Sequence, residues 1–232
     1  MLNILLTNDD GYTADGITIL KKLLSKYGKV VIVAPMNVMS AKSVSLNLGH
    51  SIAMKKISDD CYVLDGTPAD CVTFGLGNLD IKFDFVVSGI NHGLNVSYDT
   101  MYSGTVGAGL QALTYRVPAF AVSCDFNFEI VEKYFDKLFA HLLDNKLISA
   151  EYMLNINFPL GDRVDEIVDT HIFYRTETAY FEMVDNNNII AKRQLHDELC
   201  DDIGSDVYAV NHHNISVTKL GRTLDHGRKC NI

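Results

Sequence analysis

Two adjacent carboxylates, Asp9 and Asp10, follow directly on the apolar run Leu2 to Thr7 and precede Gly11. An apolar run of that length reads as a buried strand. In an open parallel sheet, ligands bind beyond the carboxyl ends of the strands. Two carboxylates held side by side repel each other unless a cation lies between them or one takes a proton. Hard cations such as Mg²⁺ prefer carboxylate oxygens and serve phosphate chemistry. The opening residues therefore point to metal-assisted chemistry on a phosphorylated substrate. Asp-Asp-Gly is also ordinary turn chemistry, so a solvated turn is the alternative.

Other residues of suitable type recur where loops should converge on the same sheet edge. Ser40 lies in a Ser-rich loop, Asn37 to Ser45, after the second apolar run. Asn91 and Asn95 follow the run Phe85 to Ser88 in a Gly-punctuated loop, Gly89 to Ser103. An amide oxygen is a neutral hard ligand, and an amide nitrogen donates to phosphate oxygens. Asn and Gly also fill such loops because they tolerate positive φ. His92, in the same loop, is either a general acid or a solvated side chain. Tyr102-Ser-Gly-Thr-Val-Gly107 opens a helix of small residues, and a helix N-terminus suits a phosphate. Ser103 is equally an ordinary N-cap. Asp65-Gly-Thr-Pro-Ala-Asp70 reads as a turn, a cap at Thr67 and a helix start at Pro68. No G-x-x-x-x-G-K-[ST], G-x-G-x-x-G or G-x-S-x-G pattern occurs. His212-His213 has neither helical nor zinc-finger spacing and reads as surface.

The elements that must position these residues alternate in type. Helical spacing predicts helices over Asp15 to Tyr27 and Ile130 to Leu143, the Thr67 cap with Pro68 predicts one over Pro68 to Gly75, and a run of small residues one over Thr105 to Tyr115. Strands are expected at Leu2 to Thr7, Val30 to Ala34, Ser51 to Lys56, Cys61 to Leu64, Phe85 to Ser88, Ala119 to Ser123 and Leu154 to Phe158, the last of the core. This pattern implies an α/β fold, a doubly wound, mostly parallel, Rossmann-like sheet. After Pro159 the texture turns β-rich. His171 to Tyr180 and Val184 to Arg193 read as extended segments joined near Glu182, and Val207 to Val210 and Ile215 to Thr218 as strands. The expected division is a catalytic core over residues 1–160 and an extension over 161–232 that serves as an oligomerisation arm.

Composition narrows the function classes. With 47% hydrophobic and 21% charged residues in 232, the chain can bury a sizeable core. A net charge of -9 argues against a nucleic-acid polymer as partner. No apolar run spans a membrane, and no basic n-region precedes Leu2, so no membrane association, no leader and a cytoplasmic location are expected. Five cysteines, an odd number without a C-x-x-C pair, suit reduced thiols.

Taken in order, Thr7-Asn-Asp-Asp-Gly11, Ala34-Pro35 with Ser40, Asp65-Gly-Thr-Pro-Ala-Asp70, Val87-Ser-Gly-Ile-Asn-His-Gly-Leu-Asn95 and Tyr102-Ser-Gly-Thr-Val-Gly107 resemble the SurE family of survival-protein nucleotidases. Leu154-Asn-Ile-Asn-Phe-Pro159 and Ser205-Asp-Val-Tyr-Ala-Val210 also fit. The resemblance implies hydrolysis of nucleoside 5′- and 3′-monophosphates, with one divalent cation per subunit, Mg²⁺ or Mn²⁺. It implies that Asp9, Asp10, Ser40 and Asn91 hold the cation, with Asp9, Asp10 and Asn91 also catalytic. Asn95, Ser103, Gly104 and Thr105 are then expected on the phosphate, with Asn8 and Gly11 completing the substrate loop. The family's extension exchanges between subunits, so a homodimer or homotetramer is expected. Two departures border the nucleotide pocket: Met36-Asn-Val-Met39 stands where the family carries charged residues, and Ala41 replaces a common glycine. A receiver-like signalling module is the rival reading. It too pairs acids after its first strand, and Asp65 would then be the phosphorylated residue.

Overall fold

A computed structural model describes residues 1–174, 177–185, 187–195 and 201–221. In chain order the elements begin with β1 (Leu2–Thr7), α1 (Asp15–Leu24), β2 (Gly28–Pro35), β3 (Met54–Ser58) and β4 (Cys61–Leu64). They continue with α2 (Pro68–Asn78), β5 (Phe85–His92), α3 (Asp99–Tyr102), α4 (Gly104–Thr114), β6 (Ala119–Cys124), α5 (Phe128–Asp144) and β7 (Tyr152–Asn157). The remainder is β8 (Ile167–Thr170), β9 (Glu177–Met183), β10 (Ile189–Leu195), α6 (Asp206–Asn211) and β11 (Ile215–Gly221).

Nine strands form one sheet in the order β3-β4-β2-β1-β5-β6-β7-β11-β8, and β9 and β10 form a separate antiparallel pair. The run from β4 to β7 is parallel throughout. β3 joins β4, and β11 joins β7, in the antiparallel sense. The chain moves outward from β1 through β2 to β4, then crosses back to β5 on β1's other side. β1 and β5 therefore flank the topological switch point, where doubly wound sheets open a ligand crevice.

Pleating sends alternate side chains of β1 into the two cores. Ile4 and Leu6 join the cluster under α1 and α5, while Leu5 joins the cluster under α2 and α4. The helical spacing of Ile17, Leu20, Leu23 and Leu24 puts all four within one core at 0–3% exposure. Burial of each contributes about 1.5–3 kcal/mol, enough to fix α1 against the sheet without a side-chain cap. α2 has the cap that its sequence announces: Thr67 accepts from the Asp70 amide at 3.1 Å and Asp70 accepts from the Thr67 amide at 2.9 Å.

The doubly wound expectation holds over the first two-thirds of the chain, and the later elements depart from it in detail. Val207 to Val210 is helical, within α6, because Ser205 caps it by accepting from the Tyr208 amide at 3.1 Å. A β-branched pair around Tyr-Ala gave the misleading strand pattern. β7 is followed in the same sheet by β11 and β8, so Leu154 to Phe158 is not the last core strand. The link between β9 and β10 is centred on Asp185 rather than Glu182. The Asp185 carboxylate accepts from the amides of Asn187 and Asn188 at 2.9 and 3.0 Å, an Asx-type turn that also holds its pKa below the usual range. The sequence reading passed over β8 and the single-turn α3.

Candidate active site

The chain end of β1 turns sharply so that both acids leave the strand at the switch point. Asn8 is fully buried and donates from Nδ2 to the Gly11 carbonyl at 2.8 Å, closing the turn. Gly11 makes that closure possible at φ +96°, a conformation that strains any side chain. Asp9 is only 5% exposed, and Asp10 is half-buried. Burial, with Asp10's charge adding to it, pushes the Asp9 carboxyl up to about 6, against the opposing effect of a hydrogen bond from Thr105. Burial also raises Asp10, partly offset by the His92 amide, which donates to its Oδ2 at 3.3 Å.

Three neighbouring segments converge on these acids. β5 brings Asn91, just past a register shift against β6 between Gly89 and Asn91. Such a bulge re-aims a side chain at a sheet edge. Asn91 donates from Nδ2 to the Gly93 carbonyl at 2.8 Å, which leaves Oδ1 directed to the site, 3.2 Å from Thr105 Oγ1. α4 brings its first turn. A Cβ on Gly104 would meet Asp9 Cβ at 2.9 Å and Asp9 Oδ2 at 3.1 Å, so only glycine admits this approach. The fully buried Thr105 donates its hydroxyl to Asp9 Oδ1. The loop after β2 brings the Met39 amide, which donates to the Asp9 carbonyl at 2.7 Å and places the exposed Ser40 at the rim.

Asp9, Asp10, Asn91, Gly104 and Thr105 thus meet around one point, with Ser40 on the adjoining loop. Ser103 caps α4, its Oγ accepting from the Val106 amide at 3.1 Å. Asn95 is set deeper. It is 5% exposed and donates from Nδ2 to Ser123 Oγ at 2.9 Å. Its backbone is held by β7: Asn157 Oδ1 accepts from its amide at 2.7 Å, and Asn155 and Asn157 donate to its carbonyl at 2.8 and 3.1 Å. Sequence reading counted this segment toward the family resemblance but gave the two asparagines no role, although polar residues two apart inside an apolar strand mark a shared face. It also missed Asp206, which is fully buried and receives the amides of Ser97, Phe173 and Val207 at 2.8, 2.9 and 2.8 Å. Asp206 thereby ties the loop after β5 to α6 and to the approach to β9.

The donors around Asp9 and Asp10 are all oxygen: two carboxylates, an amide and a hydroxyl. Such a set suits a hard divalent cation and not a soft one. Among the described residues no Lys or Arg forms an ion pair with either acid. An uncompensated, half-dehydrated pair of carboxylates is what a bound cation would relieve. Among the same residues no cluster of three His, Cys, Asp or Glu side chains is arranged to hold a metal. Asp65 lies after β4, separated from β1 by β2, so the receiver-like arrangement does not form.

A doubly wound sheet with paired acids at its switch point, facing a glycine-opened helix N-terminus, defines the class of α/β proteins whose ligand crevice lies at the carboxyl ends of the strands. The survival protein SurE family model matches residues 4–181, and the chain belongs to the SurE family. It is 38% identical over 240 residues to the 5′-nucleotidase SurE of Clostridium botulinum Type A, covering 94% of this chain and 92% of that one. The 5′-nucleotidase SurE of Actinobacillus succinogenes is 44% identical over 161 residues, 68% of this chain and 65% of that one. The crystal structure of the SurE protein from Aquifex aeolicus superposes with a TM-score of 0.80 at 32% identity, covering 96% of this chain and 94% of that one. No helix among the described residues is long and apolar enough to cross a membrane.

Proposed function

We propose that this chain is a cation-dependent phosphomonoesterase that releases phosphate from nucleoside 5′- and 3′-monophosphates. The observation that carries this reading is the contact of α4's first turn with Asp9. It brings helix-terminal N–H groups and a carboxylate pair to one point, and a phosphate monoester needs both. The names of the relatives support the substrate class.

In this reading Asp9, Asp10, Asn91 and Ser40 hold one Mg²⁺ or Mn²⁺. The cation supplies Lewis acidity and a water of lowered pKa as nucleophile. The Gly104 amide, with the Ser103 hydroxyl, holds phosphate oxygens and stabilises charge that grows in the transition state, while the Thr105 amide and hydroxyl both serve Asp9. Asn95 orders the loop that carries Asn91, through its bonds to Ser123, Asn155 and Asn157. Asn8 and Gly11 keep the acid turn closed beneath the substrate.

The test is phosphate release from 5′-AMP and 3′-AMP after exhaustive chelation, then with Mn²⁺ or Mg²⁺ restored. Release from both esters that stops on chelation and returns with the cation is expected. Full activity in the chelated protein removes the cation from the reading, and no release from either ester overturns the nucleotidase.

A further inference from the structure

Beside the acid pair stand aromatic rings that the reaction itself does not use. The His92 amide is bonded to Asp10, and the exposed His92 ring meets Phe126 edge-on, with centroids 4.1 Å apart and planes at 70°. Phe128 closes the back of His92 at 5.5 Å. Phe126 follows β6, next to the end of β5, where the Gly93 amide is bonded to the Cys124 carbonyl at 2.8 Å. It remains 75% exposed, so its ring contributes little to the fold.

We infer that Phe126, steadied by His92, is a shelf on which the base of a nucleoside monophosphate stacks. The inference rests on the nucleotidase reading and names how the base is held. An exposed aromatic face beside a phosphate site suits a flat, π-faced group, and every base has such a face. Tyr102, just before α4, is also exposed, but the Arg193 guanidinium covers its ring at 5.3 Å while pairing with Asp99 at 2.6 Å. Phe126, by contrast, has no cation over its ring among the described residues and keeps an exposed face beside His92. Recognition by stacking reads the presence of a base more than its edge, so the shelf favours nucleotides over baseless sugar phosphates and discriminates weakly among bases.

The experiment compares KM for AMP with KM for ribose 5-phosphate, which carries an anomeric hydroxyl in place of the base. Phe126→Ala should raise the ratio of KM for AMP to KM for ribose 5-phosphate about tenfold, about 1.4 kcal/mol of stacking. Phe126→Trp should hold the ratio at or below the wild-type value. Truncation of so exposed a ring leaves both cores intact. A wild-type protein that hydrolyses AMP, with a ratio unmoved by Phe126→Ala, overturns the shelf and leaves the nucleotidase standing. A wild-type protein that releases no phosphate from AMP overturns both.

Discussion

Thr105 offers the sharpest test of how the site divides its labour. Its hydroxyl has one proton, and the tighter of its two contacts is with Asp9 rather than Asn91. Thr105→Val preserves shape at a fully buried position and deletes only that donor. Asp9 then loses the largest influence that holds its carboxyl down, while burial and the Asp10 charge continue to push it up from about 6. A hydrogen bond to a charged group contributes about 1.5–3 kcal/mol, or roughly one to two pKa units. The variant's Asp9 should therefore titrate between about 7 and 8. At pH 7 the ionised fraction falls from about nine-tenths to between about a half and a tenth, and apparent Mn²⁺ affinity falls roughly twofold to tenfold with it. By about pH 9 the affinity returns. The assays are Mn²⁺ calorimetry at several pH values and the pH profile of kcat/KM on AMP at subsaturating Mn²⁺, which reports the free enzyme. The acid limb should move upward by one to two units on the same scale. An unmoved limb and unchanged Mn²⁺ affinity would refute the reasoning. Activity lost equally at every pH would instead assign the hydroxyl to the phosphate, as the sequence reading had it.

Three further outcomes follow from the same geometry. Asp9→Asn should abolish turnover and Mn²⁺ binding. It should also flatten the pH dependence of the metal-free protein: the wild-type folded state holds a proton on Asp9 up to about pH 6 that the unfolded chain releases near 3.8, so wild-type stability should fall by about 3 kcal/mol as pH rises across that window. Denaturant melts of the chelated protein at pH 4 and pH 7 check this, and equal slopes in wild type and variant would count against it. Asp70→Ala should cost about 1–2 kcal/mol through the α2 cap and, by freeing Asn47, whose amide and side chain both bond Asp70, should loosen the loop that carries Ser40 and raise the Mn²⁺ requirement on AMP. The β9–β10 pair exposes Phe181 at 69%, Met183 at 63% and Ile189 at 55%, and a lone two-stranded ribbon is marginal in water, so a second copy should cover it. Light scattering should show a dimer or tetramer that Phe181→Asp weakens, and a monomer at every concentration would end that idea.

The readable parts of the fold were those with strong local signals. β1, α1 and α2 combine an apolar period with sharp ends, and their boundaries came out within a few residues. The acids were legible because they follow directly on β1, and Asn91 because it breaks the apolar run of β5, which extends to His92 rather than ending at Ser88, near the edge where an open sheet binds ligands. Thr105 was legible as a member of a helix start, but its bond to Asp9 was not, because that contact joins residues 96 positions apart. α6 was misread because six residues are too few for a helical period, and its cap at Ser205 resembles any serine in a loop. β8 was passed over because its four residues are only partly buried and carry no clear alternation.

Asp206 shows why the second half of the chain belongs in any account of the site. A carboxylate at 0% exposure without a cation is costly unless several donors compensate it. Here burial raises its pKa while the amides of Phe173, Ser97 and Val207 oppose that rise. Those donors come from three segments, one of them 109 positions away in the loop that leads from Asn91 to α4. No local pattern announces such a bond, since an acid at the first position of a short helix is ordinary. Ser97 also bonds the Phe173 carbonyl at 2.7 Å, so the same loop is clamped twice to the segment that leads into β9. The arm and the acid site are thus mechanically joined. Whatever seats the β9–β10 pair also bears on the loop that presents Asn91, and assembly and catalysis should respond together when either is disturbed.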